Sequence, residues 1–123
     1  MWEITLVGPV NDWFLELCVA EPETANQIAD AVNLLARRGP LLGRPLVDRI
    51  QNSKLHNLKE LRPGSSGRSE IRMLFVFDAE REAIFLVAGD KNGKWSRWYE
   101  ESIPLAEARY EQYIEEQEKG AGA

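Results

Sequence analysis

Residues 57–62 read Asn-Leu-Lys-Glu-Leu-Arg, residues 70–78 Glu-Ile-Arg-Met-Leu-Phe-Val-Phe-Asp, and residues 83–91 Ala-Ile-Phe-Leu-Val-Ala-Gly-Asp-Lys. Each is a short apolar run bounded by turn residues, which is the pattern of a strand. Pro63-Gly64-Ser65-Ser66-Gly67 separates the first two, and Ala79-Glu80-Arg81-Glu82 the last two. Both linkers have hairpin chemistry. The spacing therefore predicts three consecutive strands, over 55–62, 70–77 and 83–88. The middle one is almost continuously apolar except for Arg72, as in a strand covered on both faces.

Working outward, Trp2-Glu3-Ile4-Thr5-Leu6-Val7 alternates apolar and polar residues and predicts a half-buried first strand, ended by Gly8-Pro9. Asn11 suits an N-cap, and Trp13, Phe14, Leu17 and Cys18 follow at helical spacing. Glu21-Pro22 breaks that helix and opens another, with Ala25, Ile28, Ala29, Val32, Leu35 and Ala36 along one side. Arg37 and Arg38 complement its negative end before Gly39-Pro40 stops it. A helical hairpin over 11–38 is expected. Residues 41–46 read as a loop, and 47–50 are too short to assign. After a polar and aromatic loop over 89–98, Ile103-Pro104 opens a closing helix with Leu105, Ala108, Tyr110 and Ile114 on its apolar side. The expected order is β-α-α-β-β-β-α. This is an α+β fold with a small antiparallel-rich sheet, in one domain over 1–118 with a disordered tail over 119–123.

The totals agree with that size. A chain of 123 residues fits one domain. At 44% hydrophobic and 28% charged it has the makings of an ordinary core. No apolar run approaches the roughly 20 residues of a membrane span. The N-terminus lacks the basic region of a signal peptide. A reducing, cytoplasmic setting is the default for a chain with one cysteine, and Cys18 is expected to be a small buried hydrophobe.

Net charge is −5, but it is segregated. Residues 1–36 hold six acids and no Lys or Arg, and residues 37–72 hold nine basic residues and three acids. Residues 100–123 are again strongly acidic, with seven acids and two basic residues. A local field decides which partner meets a face, so the segregation points to an anion-binding face with acidic flanks.

Arg72 is the most informative residue. An arginine inside Ile-Arg-Met-Leu-Phe is costly unless its head meets an anion or water. It is either a phosphate-binding guanidinium held on the sheet, the partner of Glu60 or Glu70, or an arginine facing the sheet edge. Arg62 and Arg68 flank the hairpin loop and enlarge the basic cluster. Lys91, Lys94 and Arg97 alternate with Trp95, Trp98 and Tyr99, a mixture suited to RNA, where bases stack on rings and phosphates meet cations. The tryptophans serve equally well to pack the last helix on the sheet. His56, the only histidine, lies near Lys54 and Lys59 and is either a phosphate contact or an ordinary half-buried residue. No Gly-rich phosphate loop, paired-cysteine motif or Gly-x-Ser-x-Gly elbow occurs, and no metal or cofactor site is expected.

Leu58-Lys59-Glu60-Leu61-Arg62, the Gly/Ser loop, Ile71-Arg72-Met73-Leu74-Phe75 and Gly89-Asp90-Lys91, in that order behind a strand and a helical hairpin, resemble the RelE/ParE toxin superfamily. The likeness runs over about residues 2–115 and is strongest to the HigB-like, phage-derived branch of type II toxin–antitoxin modules. The resemblance implies a metal-independent, ribosome-dependent mRNA endonuclease neutralised by a HigA-like helix-turn-helix antitoxin, with no membrane partner. It implies that Arg72 binds the scissile phosphate, that Lys91 or Lys94 serves as acid or phosphate ligand, and that Tyr99 orients the nucleotide. Arg62 matches the family's second-strand arginine, and with Arg68, Lys59, Trp95, Arg97 and His56 it completes an RNA-contacting set. Glu60 stands where one branch carries lysine, and is either a general base or the partner of Arg72. The alternatives within the superfamily are a ParE-like DNA gyrase inhibitor and a non-catalytic protein that only binds its antitoxin.

Overall fold

The computed structural model describes residues 1–64 and 67–121. The chain begins with β1 (Glu3–Leu6), α1 (Gly8–Ala20) and α2 (Pro22–Arg38). A single 3-10 turn, Gly39–Leu41, leads to β2 (Val47–Arg49) and β3 (Lys59–Leu61). The long strands β4 (Ile71–Phe77) and β5 (Glu82–Asp90) precede α3 (Ser96–Ala121). The five strands form one sheet in the order β1-β5-β4-β3-β2, with β1 parallel to β5 and every other pair antiparallel. This is the α+β, RelE-like arrangement. No helix among the described residues is long and apolar enough to cross a membrane.

Strand alternation divides the core between the two faces of the sheet. Met73, Phe75, Ala83 and Phe85 point to α1 and α2, where Val10, Leu17, Ile28, Ala31 and Leu35 meet them. Leu74, Val76, Ile84, Leu86 and Val87 point to α3, where Trp98 and Ala106 cover them. Leu86 and Val87 are neighbours yet lie on the same side, because the β4–β5 register slips at Leu74/Phe75. This is a bulge. Arg109 of α3 donates from Nη1 to the Leu86 carbonyl at 2.8 Å and thereby satisfies that bulged residue.

Four expectations need correction. The chain has one strand more than expected, since Val47–Arg49 pairs with β3. Three residues are too few to show a period. The strand expected over 55–62 shrinks to Lys59–Leu61, and residues 50–58 instead form a turn-rich loop under α3. There Ser53 Oγ and the Lys54 amide both donate to Glu107. Next, α3 starts at Ser96, not at Ile103-Pro104, and Pro104 lies inside it. Trp98, Ser102 and Ala106 are buried at four-residue steps, so packing overrides the local preference of proline for a helix start. Finally, Cys18 is exposed. The helix α1 starts at Gly8 rather than after Asn11, and it is apolar nearly all round. Val10 and Leu17 face the sheet, so Leu15, Cys18 and Val19 turn outward.

At the C-terminus α3 continues through Ala121, past the point where a tail was expected. Residues 122 and 123, like 65 and 66 of the expected hairpin loop, lie outside the described residues.

Candidate RNA-binding site

The end of the sheet beside the start of α3 gathers the chemistry. Glu60 pairs with Leu74 across β3 and β4, so it shares the α3 side of the sheet with Leu74 and with Arg72 two residues earlier. Opposite Arg72 on β5 stands Gly89. Just beyond, the Asp90 carboxylate accepts from the amides of Glu70 at 2.8 Å and Asn92 at 2.9 Å. Those two bonds fix the turn that carries Lys91, which is why aspartate precedes the lysine. The Lys91 amide adds a bond to the Glu70 carbonyl at 3.0 Å.

The carboxylate of Glu60 is buried and fully engaged. Its Oε1 accepts from Arg62 Nε at 2.7 Å, and its Oε2 accepts from the Tyr99 hydroxyl at 2.7 Å. Arg62 also donates from Nη2 to Asp48 Oδ2 at 3.1 Å. Neither Glu60 nor Glu70 forms an ion pair with Arg72 among the described residues. The partner of Glu60 is Arg62, and that of Glu70 is Lys91 at 3.9 Å. Arg72 donates from Nη1 to the carbonyl of Ile71 at 2.8 Å, and its buried Nε has no hydrogen-bond partner among the described residues. The site thus contains one half-buried guanidinium without a carboxylate.

Lys91 is held in an aromatic corner. Its Nζ lies 5.0 Å from the centroid of Trp95 and 5.4 Å from that of Tyr99, within cation–π range. Its side chain is only 12% exposed. Burial, and then the neighbouring charge of Arg72, lower its pKa from the usual 10.5, with Glu70 and Glu60 opposing. The Tyr99 hydroxyl shifts the other way, to about 12. Burial contributes most, followed by the bond to anionic Glu60, while Arg72 opposes. Tyr99 is therefore a firm hydrogen-bond donor at neutral pH.

Trp95 is 58% exposed and has a left-handed backbone, φ 46°. Such a conformation is costly for a bulky residue and recurs where function over-determines the backbone. Its ring forms the outer wall of the Lys91 corner.

The structure brings Glu60, Arg62, Arg72, Lys91, Tyr99 and Trp95 together. Lys59 pairs with Phe75, so it points to the opposite side of the sheet from Glu60. His56 and Arg68 are exposed on turns. Lys94 and Arg97 are exposed around the first turn of α3. Sequence reasoning missed Asp48 and gave Glu70 only a minor place. A signal was present: Asp48, Glu60 and Glu70 are the three acids of the otherwise basic segment 37–72, and all three meet cations of the site.

A cleft of about 430 Å³ lies elsewhere, lined by Thr5–Pro9, Arg109, Gln112, Tyr113 and Glu116, and includes neither Arg72 nor Lys91. Among the described residues no three of His, Cys, Asp and Glu converge as metal ligands.

Fold and site together define a RelE-like α+β protein with a basic–aromatic surface where α3 leaves the sheet. The chain belongs to the family described as "Phage derived protein Gp49-like (DUF891)", whose model matches residues 13–111. It is 41% identical over 117 residues to the protein of Mycobacterium tuberculosis (strain ATCC 25618 / H37Rv) named "Putative toxin HigB3", covering 95% of this chain and 97% of that one. It is 48% identical over 92 residues to "Putative toxin HigB2" of the same organism, covering 75% of this chain and 46% of that relative.

Proposed function

We propose that this chain is the toxin of a type II toxin–antitoxin module, and that it acts as a metal-independent endoribonuclease on mRNA at the ribosome. The family membership and the names of the two relatives support the toxin reading. The cognate partner on this reading is a helix-turn-helix antitoxin. The observation that carries the nuclease reading is Arg72, a half-buried guanidinium held to its own strand, with a buried Nε that no group among the described residues satisfies.

In the proposed reaction the RNA 2′-hydroxyl attacks the adjacent phosphorus and releases its proton to solvent water. The new P–O bond forms as the 5′-oxygen leaves, giving a 2′,3′-cyclic phosphate and a 5′-hydroxyl. Arg72 stabilises the extra negative charge on the phosphoryl oxygens in the transition state. Lys91, with its pKa lowered by burial, protonates the departing 5′-oxygen. Tyr99, its hydroxyl held by Glu60, orients the nucleotide. The exposed ring of Trp95 offers a stacking surface for a base. Glu60, with both oxygens occupied, orients Arg62 and Tyr99 in this scheme rather than removing a proton.

Inducible expression with mapping of mRNA 5′ ends tests the reading, with Arg72→Ala as control. Growth arrest with new 5′ ends that disappear in Arg72→Ala is the expected result. Arrest with intact transcripts and DNA damage would sink it in favour of gyrase inhibition. Absence of toxicity in a host without the antitoxin would leave a protein that only binds its antitoxin.

A further inference from the structure

Asp48 and Glu60 stand directly opposite each other on β2 and β3. Two carboxylates at such a cross-strand pair repel, and on stability alone an uncharged residue would serve better at either place. Arg62 resolves the conflict by donating from Nε to Glu60 and from Nη2 to Asp48. Its backbone amide is held by the Leu46 carbonyl at 2.7 Å. Asp48 is in turn fixed by the Arg49 amide at 2.8 Å and by Arg44 Nε at 3.3 Å. An unbroken chain of charge-assisted bonds therefore runs from the sheet edge to the Tyr99 hydroxyl.

We propose that Asp48 is a positioning residue of the site, acting through Arg62 and Glu60 to hold the Tyr99 hydroxyl as a donor beside Arg72. With Asp48 in place, Arg62 is shared between two acids and its fork is locked. Without it, Arg62 is free to swing onto Glu60 alone or out to solvent. In either case the acceptor geometry offered to Tyr99 changes. Asp48 touches neither Tyr99 nor Arg72, so its effect is indirect. The edge strand β2 belongs to the site for this reason. The positioning role rests on the proposed nuclease reading only in its kinetic consequence, because the network exists whether or not RNA is cleaved.

The test is a double-mutant cycle between Asp48→Asn and Tyr99→Phe, read from urea unfolding midpoints of protein made by cell-free synthesis. Members of one hydrogen-bonded network couple, whereas distant independent sites add. The expected result is that the double variant shifts the midpoint by less than the sum of the single shifts. Additive shifts would overturn the proposal and leave Asp48 a merely structural edge residue. The second readout is the ring-carbon NMR signal of Tyr99, assigned by its loss in Tyr99→Phe. In Asp48→Asn this signal is expected to move while those of Tyr110 and Tyr113 stay, and an unmoved Tyr99 signal also counts against the role. Where wild-type protein cleaves mRNA, Asp48→Asn is expected to slow cleavage at unchanged RNA affinity. If wild-type protein is inert towards mRNA, the nuclease reading fails while the coupling and the NMR signal still decide the network.

Discussion

Trp98 lies against the bare backbone of Gly89, so closely that a Cβ at Gly89 would come within 2.9 Å of the indole Nε1. Gly89 is also the strand partner of Arg72. It lets the buried Trp98 seat the first turn of α3 on the sheet. Tyr99 follows Trp98 and is aimed by that seating at Glu60, 39 positions earlier. Gly89→Ala forces the indole to move. The expected cost is about 1–3 kcal/mol of stability, as for overpacked cores, visible as a lower urea midpoint with an unchanged slope.

Arg72→Ala separates function from stability. A buried donor without a partner costs about 1–3 kcal/mol, and the alanine removes that donor. The variant is expected to unfold at the same urea concentration as wild type or higher. Its cleavage rate, on the proposed reaction, falls by about 10²–10³, the scale of losing one transition-state donor. A variant that is inactive because it is unfolded would contradict both halves.

Alkaline pH reports on the two elevated tyrosines. Tyr99 and Tyr113 ionise near 12 in the folded protein against 10.0 ordinarily. Tyr113 is raised by burial and by its bond to Glu82 at 2.9 Å. In both, the folded state keeps the proton longer than the unfolded chain. Their contribution is fully present below pH 10.0 and is lost as pH rises towards 12. Urea midpoints measured across that window are expected to fall less steeply in the Tyr99→Phe, Tyr113→Phe double variant than in wild type.

Lys91 gives the cleavage profile its alkaline limb. Burial and the charge of Arg72 place its pKa below 10.5. A lysine acting as the acid must carry its proton, so activity is expected to decline with rising pH before 10.5 is reached. Arg72→Lys, which keeps a positive neighbour, is expected to preserve that limb. In Lys91→Arg the limb should disappear, because guanidinium does not titrate in this range.

Cys18 provides an inexpensive check on how α1 is rotated. Its exposed position predicts stoichiometric reaction with a thiol reagent in the native protein. Protection until denaturant is added would mean that α1 presents a different face to the sheet.

The long elements were legible because their signals are redundant. β4 is an apolar run broken only by Arg72, β5 is apolar from Ala83 to Ala88, and α2 combines Pro22 and Glu23 at its start with Arg37 and Arg38 at its end. The short elements were not. β2 and β3 have three residues each, fewer than two alternations, and they exist because β4 offers an edge to pair with. Pro104 misplaced the start of α3 since local proline chemistry says nothing about the burial of Trp98 six residues upstream. In α1 an apolar surface on every side left the helix rotation open, and so the fate of Cys18.

The candidate site divides the same way. Arg72, Lys91 and Tyr99 stood out because a cation in an apolar strand, or a basic residue among aromatics, needs a local reason. That much is a property of neighbours in the chain, as are the α+β class and the basic middle segment. Which acid meets which cation is not. Glu60 could equally have met Arg72, and only the folded sheet, with β2 beside β3 and α3 packed on β4 and β5, gives it to Arg62 and Tyr99. Hydrogen bonds act over about 3 Å, and that separation between residues distant in sequence is set by strand register and helix placement.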